Sequence, residues 1–297
     1  MPAGGVHADL EPWWIAARAA VAAGAGTVWF SGGGALDGPG NAGSCDPCTI
    51  AASAVDAVPR TRLGVISPLP HGRNPAVLAR ELTTLDFVSD GRAAALFRFA
   101  PEVSGTEPHA WELMAEAVAV CRAVLSDPHP LFEGRFFHVA GALNRPPAPQ
   151  GGRLLLAVQV PTAAPAFAAW GATVPALVGH LFAGSSAVVC PDDPQEVKAW
   201  RATIDDVTTV LQAQTAEPGR PRAAPAILCR TTLVPIRTTL PPTTASGPLL
   251  AARAAGADGV VVRIPGARRG DVAFSGFASD PGALERALEG AFAPWTS

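Results

Sequence analysis

Two short stretches hold residue types that could do chemistry. In "TVWFSGGGALDGPGN", Thr27 to Asn41, an apolar run ends in a glycine cluster, and glycine lets backbone N–H groups approach an anion closely. Against the dinucleotide pattern G-x-G-x-x-G, Gly32 and Gly34 supply the first two positions, but Asp37 stands where the third glycine belongs. No Lys-Ser or Lys-Thr follows, and Pro39 with the further glycines prevents a helix from opening inside the motif. A dinucleotide or nucleotide-phosphate loop is therefore not expected here. In "SCDPCTI", Cys45 and Cys48 form a C-x-x-C pair that suits dithiol redox chemistry or half of a zinc site. Zinc usually needs four ligands, and no second such pair or His-x-x-x-His completes the set, so no metal is expected. The remaining readings are a redox dithiol and two small apolar residues at a helix start.

The elements that must position such residues alternate along the chain. "WWIAARAAVAA" is helical in composition, "TVWF" reads as a buried strand, and "CTIAASAVDAV" as a helix with Asp46 as N-cap and Pro47 at its first position. The strand "TRLGVIS" is bounded by Pro68 and Pro70, and "NPAVLARELTTLDFVS" follows as a helix. Next come the strand "AAALFRF", the helix "HAWELMAEAVAVCRAVLS", a hairpin within "FEGRFFHVAGALNRPPAPQGG", and the strand "RLLLAVQV". The second half predicts a short helix at "APAFAAWGA", a strand in "VPALVGHLFA", and a long amphipathic helix over "PQEVKAWRATIDDVTTVLQAQTA". The strands "AILCRTTLVPI" and "GVVVRIPG" follow, and a helix over "DPGALERALEGAFAPW" ends the chain.

Repeated strand and helix without a break in composition predicts a parallel sheet covered by helices, and 297 residues suit one (β/α)8 TIM barrel spanning 1–297. Before the first helix only "MPAGGVHADL" remains, so strand one is missing or very short, and an open doubly wound sheet is the alternative architecture. A formal net charge of −3, with 16% charged residues, gives no basic field for nucleic acid. No apolar run approaches the ~18 residues of a membrane helix, and the start lacks a signal-peptide pattern. These features predict a cytoplasmic protein with a small-molecule partner.

The residues also carry a family resemblance. "TRLGVISPLPHGRNPAVLARELTTLDFVSDGR" is similar to the central segment of the luciferase-like flavin-dependent oxidoreductases, with Pro75, Ala79, Glu81, Leu85, Asp86, Ser89, Gly91 and Arg92 on its pattern. "FEGRFFHVAGALNRPPAPQGGRLLLAV" resembles the family's second block. This family includes bacterial luciferase and the F420-dependent reductases. The resemblance implies a barrel in which FMN or the deazaflavin F420 lies across the carboxyl ends of the strands and exchanges a hydride with a small organic substrate.

It further implies roles for particular residues. Ile66 and Ser67 would support the ring at a bulge, unless they simply end a strand, and His71 would face the ring or the substrate. Glu102 in "FAPEV" would donate a proton beside the ring. Gln159, Val160 and Thr162 stand where the family's phosphate-binding glycines occur, and Pro161 among them has no N–H to offer. Ser31 and three glycines stand where the family carries an acidic residue and histidine. Two functions follow: a working F420- or FMN-dependent oxidoreductase, or a degenerate paralogue serving as a structural or regulatory subunit. The partner would be a second copy or an intact homologue.

Overall fold

The computed structural model describes residues 14, 17–18, 21–22, 25–31, 46–69, 73–99, 107–141, 144–161, 178, 181–182, 185–191, 194–214, 226–232, 259–264 and 272–275. Its strands are β1 (Thr27–Ser31), β2 (Arg62–Leu69), β3 (Ala93–Phe99), β4 (Phe132–Glu133), β5 (His138–Val139), β6 (Leu155–Gln159), β7 (Ala187–Pro191), β8 (Ala226–Thr232), β9 (Gly259–Ile264) and β10 (Val272–Ser275). The helices whose bounds lie among the described residues are α1 (Pro47–Ser53), α2 (Pro75–Val88), α3 (Pro108–Ser126) and α4 (Pro194–Gln214). No described helix is long and apolar enough to cross a membrane.

Strands β1, β2, β3, β6, β7, β8 and β9 pair in parallel in that order, as the alternating pattern predicts. The ring closes differently. β10 is inserted between β9 and β1 and runs antiparallel to both, so an antiparallel strand occupies the place where a parallel strand one would pair. Residues 1–13, where a short strand one was expected, lie outside the described residues, as does the expected helix at the end of the chain.

Period-2 alternation along the strands sorts side chains into two packed layers. Trp29, Ile66, Ala94, Leu96, Ala157, Ala187 and Val189 fill the barrel interior. Val28, Phe30, Leu63, Val65, Ala95, Phe97, Leu156 and Val158 point outward to the helices, with Leu78, Leu82 and Trp111 among their neighbours in the core. Gly64 has a specific reason to be glycine: a Cβ there would stand 2.1 Å from the Trp29 ring. Trp29 thus fills the barrel because its neighbouring strand has no side chain at that level.

The residues that carry the resemblance are bonded to one another. Buried Asp86, near the end of α2, accepts from the Ala93 and Gln150 backbone amides at 3.2 and 2.8 Å and from Gln150 Nε2 at 2.6 Å. Arg92 donates to the carbonyls of Ser89, Val58, Thr61 and Val55 at 2.7–3.1 Å, tying the α2–β3 turn to the α1–β2 connection. Gly91 makes that turn at a φ of 76°, in the left-handed region that glycine adopts without steric cost.

Three local expectations need correction. Within "VPALVGHLFA" the described residues Val178, Leu181 and Phe182 are helical where a strand was expected, and their i, i+3, i+4 spacing buries one stripe. The next strand is instead β7. α1 stops at Ser53, short of the predicted end, and β2 runs through Pro68 to Leu69. Proline is tolerated there because the β1 pairing has ended at Ile66, leaving only β3 alongside.

Candidate active site at the carboxyl ends of the strands

In an α/β barrel the loops after the strands build the site, so the carboxyl ends of β1, β2, β3 and β6 are the place to look. Arg98 is in phase with inward Ala94 and Leu96, and it pairs in register with Pro68 on β2. Gln159 is in phase with Leu155 and Ala157 and is half-buried. The β3–β6 pairing ends at Phe97 with Val158, and one further step along both strands sets Arg98 level with Gln159. Ser31, in phase with Trp29, is buried one layer below, in register with Ile66. The mouth therefore combines an apolar floor of Trp29, Ile66 and Leu96 with a guanidinium, a carboxamide and a hydroxyl. A guanidinium keeps its charge and presents a planar fork to phosphate or carboxylate.

Of the residues singled out in the sequence, Ile66 and Gln159 share this interior. Ser67 alternates to the helix side and is buried there. β2 pairs residue for residue with β3 from Leu63 to Leu69, so no bulge interrupts Ile66 and Ser67. Val160 is buried in the helix-side core, and its N–H donates to the Val189 carbonyl at 2.9 Å, so that amide is engaged in the sheet. The Pro161 carbonyl accepts from Trp200 Nε1 at 3.2 Å. His71, Glu102 and Thr162 lie outside the described residues. Sequence reasoning missed Arg98, although the alternation of "AAALFRF" already sets it in phase with Ala94 and Leu96.

A second charged group stands on the same face. Asp46 caps α1 by accepting from the Thr49 N–H at 2.8 Å, and Asn74 caps α2 by accepting from Ala76 N–H at 2.8 Å. Between the two helix starts, Arg73 donates to Asp46 Oδ1 at 2.5 Å and to Glu81 Oε2 at 2.8 Å. Burial alone would raise the Asp46 carboxyl, but hydrogen bonds from Arg73 and Thr49 outweigh it and leave it below its ordinary value. Burial likewise disfavours the Arg73 charge, and the two carboxylates more than restore it.

This arrangement decides the Cys48 chemistry. Its Sγ lies 3.7 Å from Glu81 Oε2, and burial, with the nearby Asp46 and Glu81 charges, pushes the thiol well above its ordinary value. A thiol so held is a poor nucleophile, which does not suit a redox dithiol. Cys45 lies outside the described residues. Ligand atoms of Asp46, Cys48 and Glu81 lie within 4.8 Å of one another, close enough for a metal ion. The Arg73 guanidinium already supplies the cation between the carboxylates.

Residues 15–235 match the model of a family described as luciferase-like monooxygenase, which is well over half of the 297 residues. Among solved structures, the chain is similar to an F420-dependent secondary alcohol dehydrogenase in complex with an F420-acetone adduct, at 18% identity over 74% of this chain and 65% of that one, TM-score 0.55. It is similar to EDTA monooxygenase from Chelativorans sp. BNC1, at 18% identity over 75% and 57%, TM-score 0.54. It is also similar to a riboflavin lyase with modified FMN and riboflavin, at 14% identity over 84% and 60%, TM-score 0.52. At such identities the likeness to these structures is one of fold. The chain spans 57–65% of their length. A search of curated proteins finds no match.

Proposed function

From a chain that belongs to the luciferase-like monooxygenase family, we propose an oxidoreductase that uses F420 or FMN to transfer a hydride to or from a small organic substrate at the barrel mouth. The observation that carries the reading is the place of Arg98, in phase with inward Ala94 and Leu96 on β3 and one register step beyond the Phe97–Val158 pair toward Gln159, above a floor of Trp29, Ile66 and Leu96. A flat aromatic ring suits that floor, and both cofactors carry a phosphate that suits an arginine. When bound, either cofactor would supply the hydride chemistry.

The chain's own residues would bind and orient. Arg98 would hold an anionic group of the cofactor, and Gln159 would donate its carboxamide N–H to a ring carbonyl or accept from a ring N–H. Ile66 and Leu96 would keep water from the ring's inner edge. His71 and Glu102, on the connections after β2 and β3, would hold or move a proton, and the Thr162 hydroxyl would bind phosphate. Ser67 would act only through the packing of β2.

One observation favours the second reading, a degenerate paralogue that acts as a structural or regulatory subunit. The Val160 amide, at the implied phosphate site, is spent on the sheet, and Pro161 has none to offer. Titration of the protein with F420 and with FMN, followed by fluorescence quenching, separates the two. Binding in the micromolar range supports the enzyme, and no binding of either supports the subunit.

A further inference from the structure

The first turns of α1 and α2 meet on the face where the cofactor reading above places the ring. Each turn ends a connection from a strand: residues 32–45 lead from β1 to Asp46, and residues 70–72 lead from β2 to Arg73. The helix starts are separately capped, by Asp46 and by Asn74. Arg73 is the side chain that joins them. One nitrogen of its fork takes Asp46 from the α1 side, while the other takes Glu81 from the second turn of α2, which fixes the plane of the guanidinium.

We propose that Arg73 is a positioning residue of the barrel mouth: by bridging Asp46 and Glu81 it holds the starts of α1 and α2 together, and so fixes where the β1 and β2 connections arrive beside the cofactor. This rests on the cofactor reading. The chemistry asks for arginine in particular. Lysine carries a single ammonium on a flexible stem and lacks the planar fork that meets two carboxylates in fixed directions. The side chains are about one-third exposed or less, 28% for Arg73, 34% for Asp46 and 33% for Glu81, so solvent screens the bridge only in part. Cys48 lies against the same group, its Sγ 4.0 Å from Arg73 Nη1, and excludes water from that side.

The test compares the full chain with Arg73→Met, Arg73→Lys and Asp46→Asn. The last keeps a good N-cap residue while removing its charge. Three quantities are read: amide hydrogen exchange without cofactor, the thermal midpoint, and the Kd for F420 and FMN. The bridge predicts exchange faster by about tenfold at the Thr49 and Ala76 amides in Arg73→Met, with β2 and β3 unchanged. It also predicts a Kd raised by about tenfold or more with little change in midpoint. Arg73→Lys should likewise keep the midpoint yet fail to restore the affinity, an outcome that a merely stabilising ion pair would not produce. Unchanged exchange at both caps overturns the proposal, as does faster exchange with unchanged affinity. If Arg73→Met does not fold, the same readings on Asp46→Asn decide. If the unaltered protein binds neither cofactor, the failure belongs to the cofactor reading, and the exchange comparison still decides whether Arg73 joins the two helix starts.

Discussion

Arg98 is the side chain on which cofactor binding should depend most directly. Arg98→Met keeps much of the length and the apolar stem while deleting the charge, and charge-assisted hydrogen bonds contribute about 1.5–3 kcal/mol. The expected result is a roughly 10- to 100-fold higher Kd in a fluorescence titration, with the fold retained by circular dichroism. Gly64 makes a different kind of claim. Gly64→Ala would drive a methyl to 2.1 Å from the Trp29 ring, and overpacking of this sort costs about 1–3 kcal/mol or more. Urea unfolding should show a lower midpoint. An unchanged midpoint would mean that Trp29 does not fill the barrel as described. Gly64 and Arg98 also differ in legibility. Arg98 was readable from strand alternation alone, whereas the need for Gly64 depends on a side chain one strand away, which local sequence does not reveal.

The starts of α1 and α2 are where charge and secondary structure meet. Asp46 has a folded value below its unfolded one, so its contribution is fully present above the unfolded value near pH 4. That contribution is lost as pH falls through the lower, folded value. The α1 cap amides should therefore begin to exchange faster, relative to those of β3, only below about pH 4. Loosening that set in near neutral pH would contradict the Arg73 and Thr49 contacts. The same region shows why the resemblance was legible as fold. Gly91 and Gln150 donate to Asp86, and Arg92 donates to the Ser89 carbonyl, across the α2–β3 turn, so their pattern is a folding requirement. Capping by Asp46 with Pro47 behind it was legible because it is a three-residue rule. The helical state of Val178, Leu181 and Phe182 was not legible because these residues are as apolar as a buried strand, and only their spacing tells.

The barrel as a whole closes through four residues that sequence reasoning did not foresee. β10, "VAFS", is too short to declare itself, and its role comes from long-range pairing with β1 and β9. Ending the chain before Val272 should leave both strands with unpaired edges. Size-exclusion chromatography should then show association, together with a lower melting temperature. A truncated chain that stays monomeric and melts unchanged would mean that β10 is not needed for closure. If the closed barrel holds a flavin-type cofactor at the Arg98 end, a single titration should reveal it. The purified 297-residue chain is titrated with F420 and with FMN, alongside Arg98→Met, and fluorescence quenching is followed. The expected result is saturable micromolar binding of at least one of them, weakened at least tenfold in the variant. Failure to bind either cofactor, or equal binding by the variant, would contradict it.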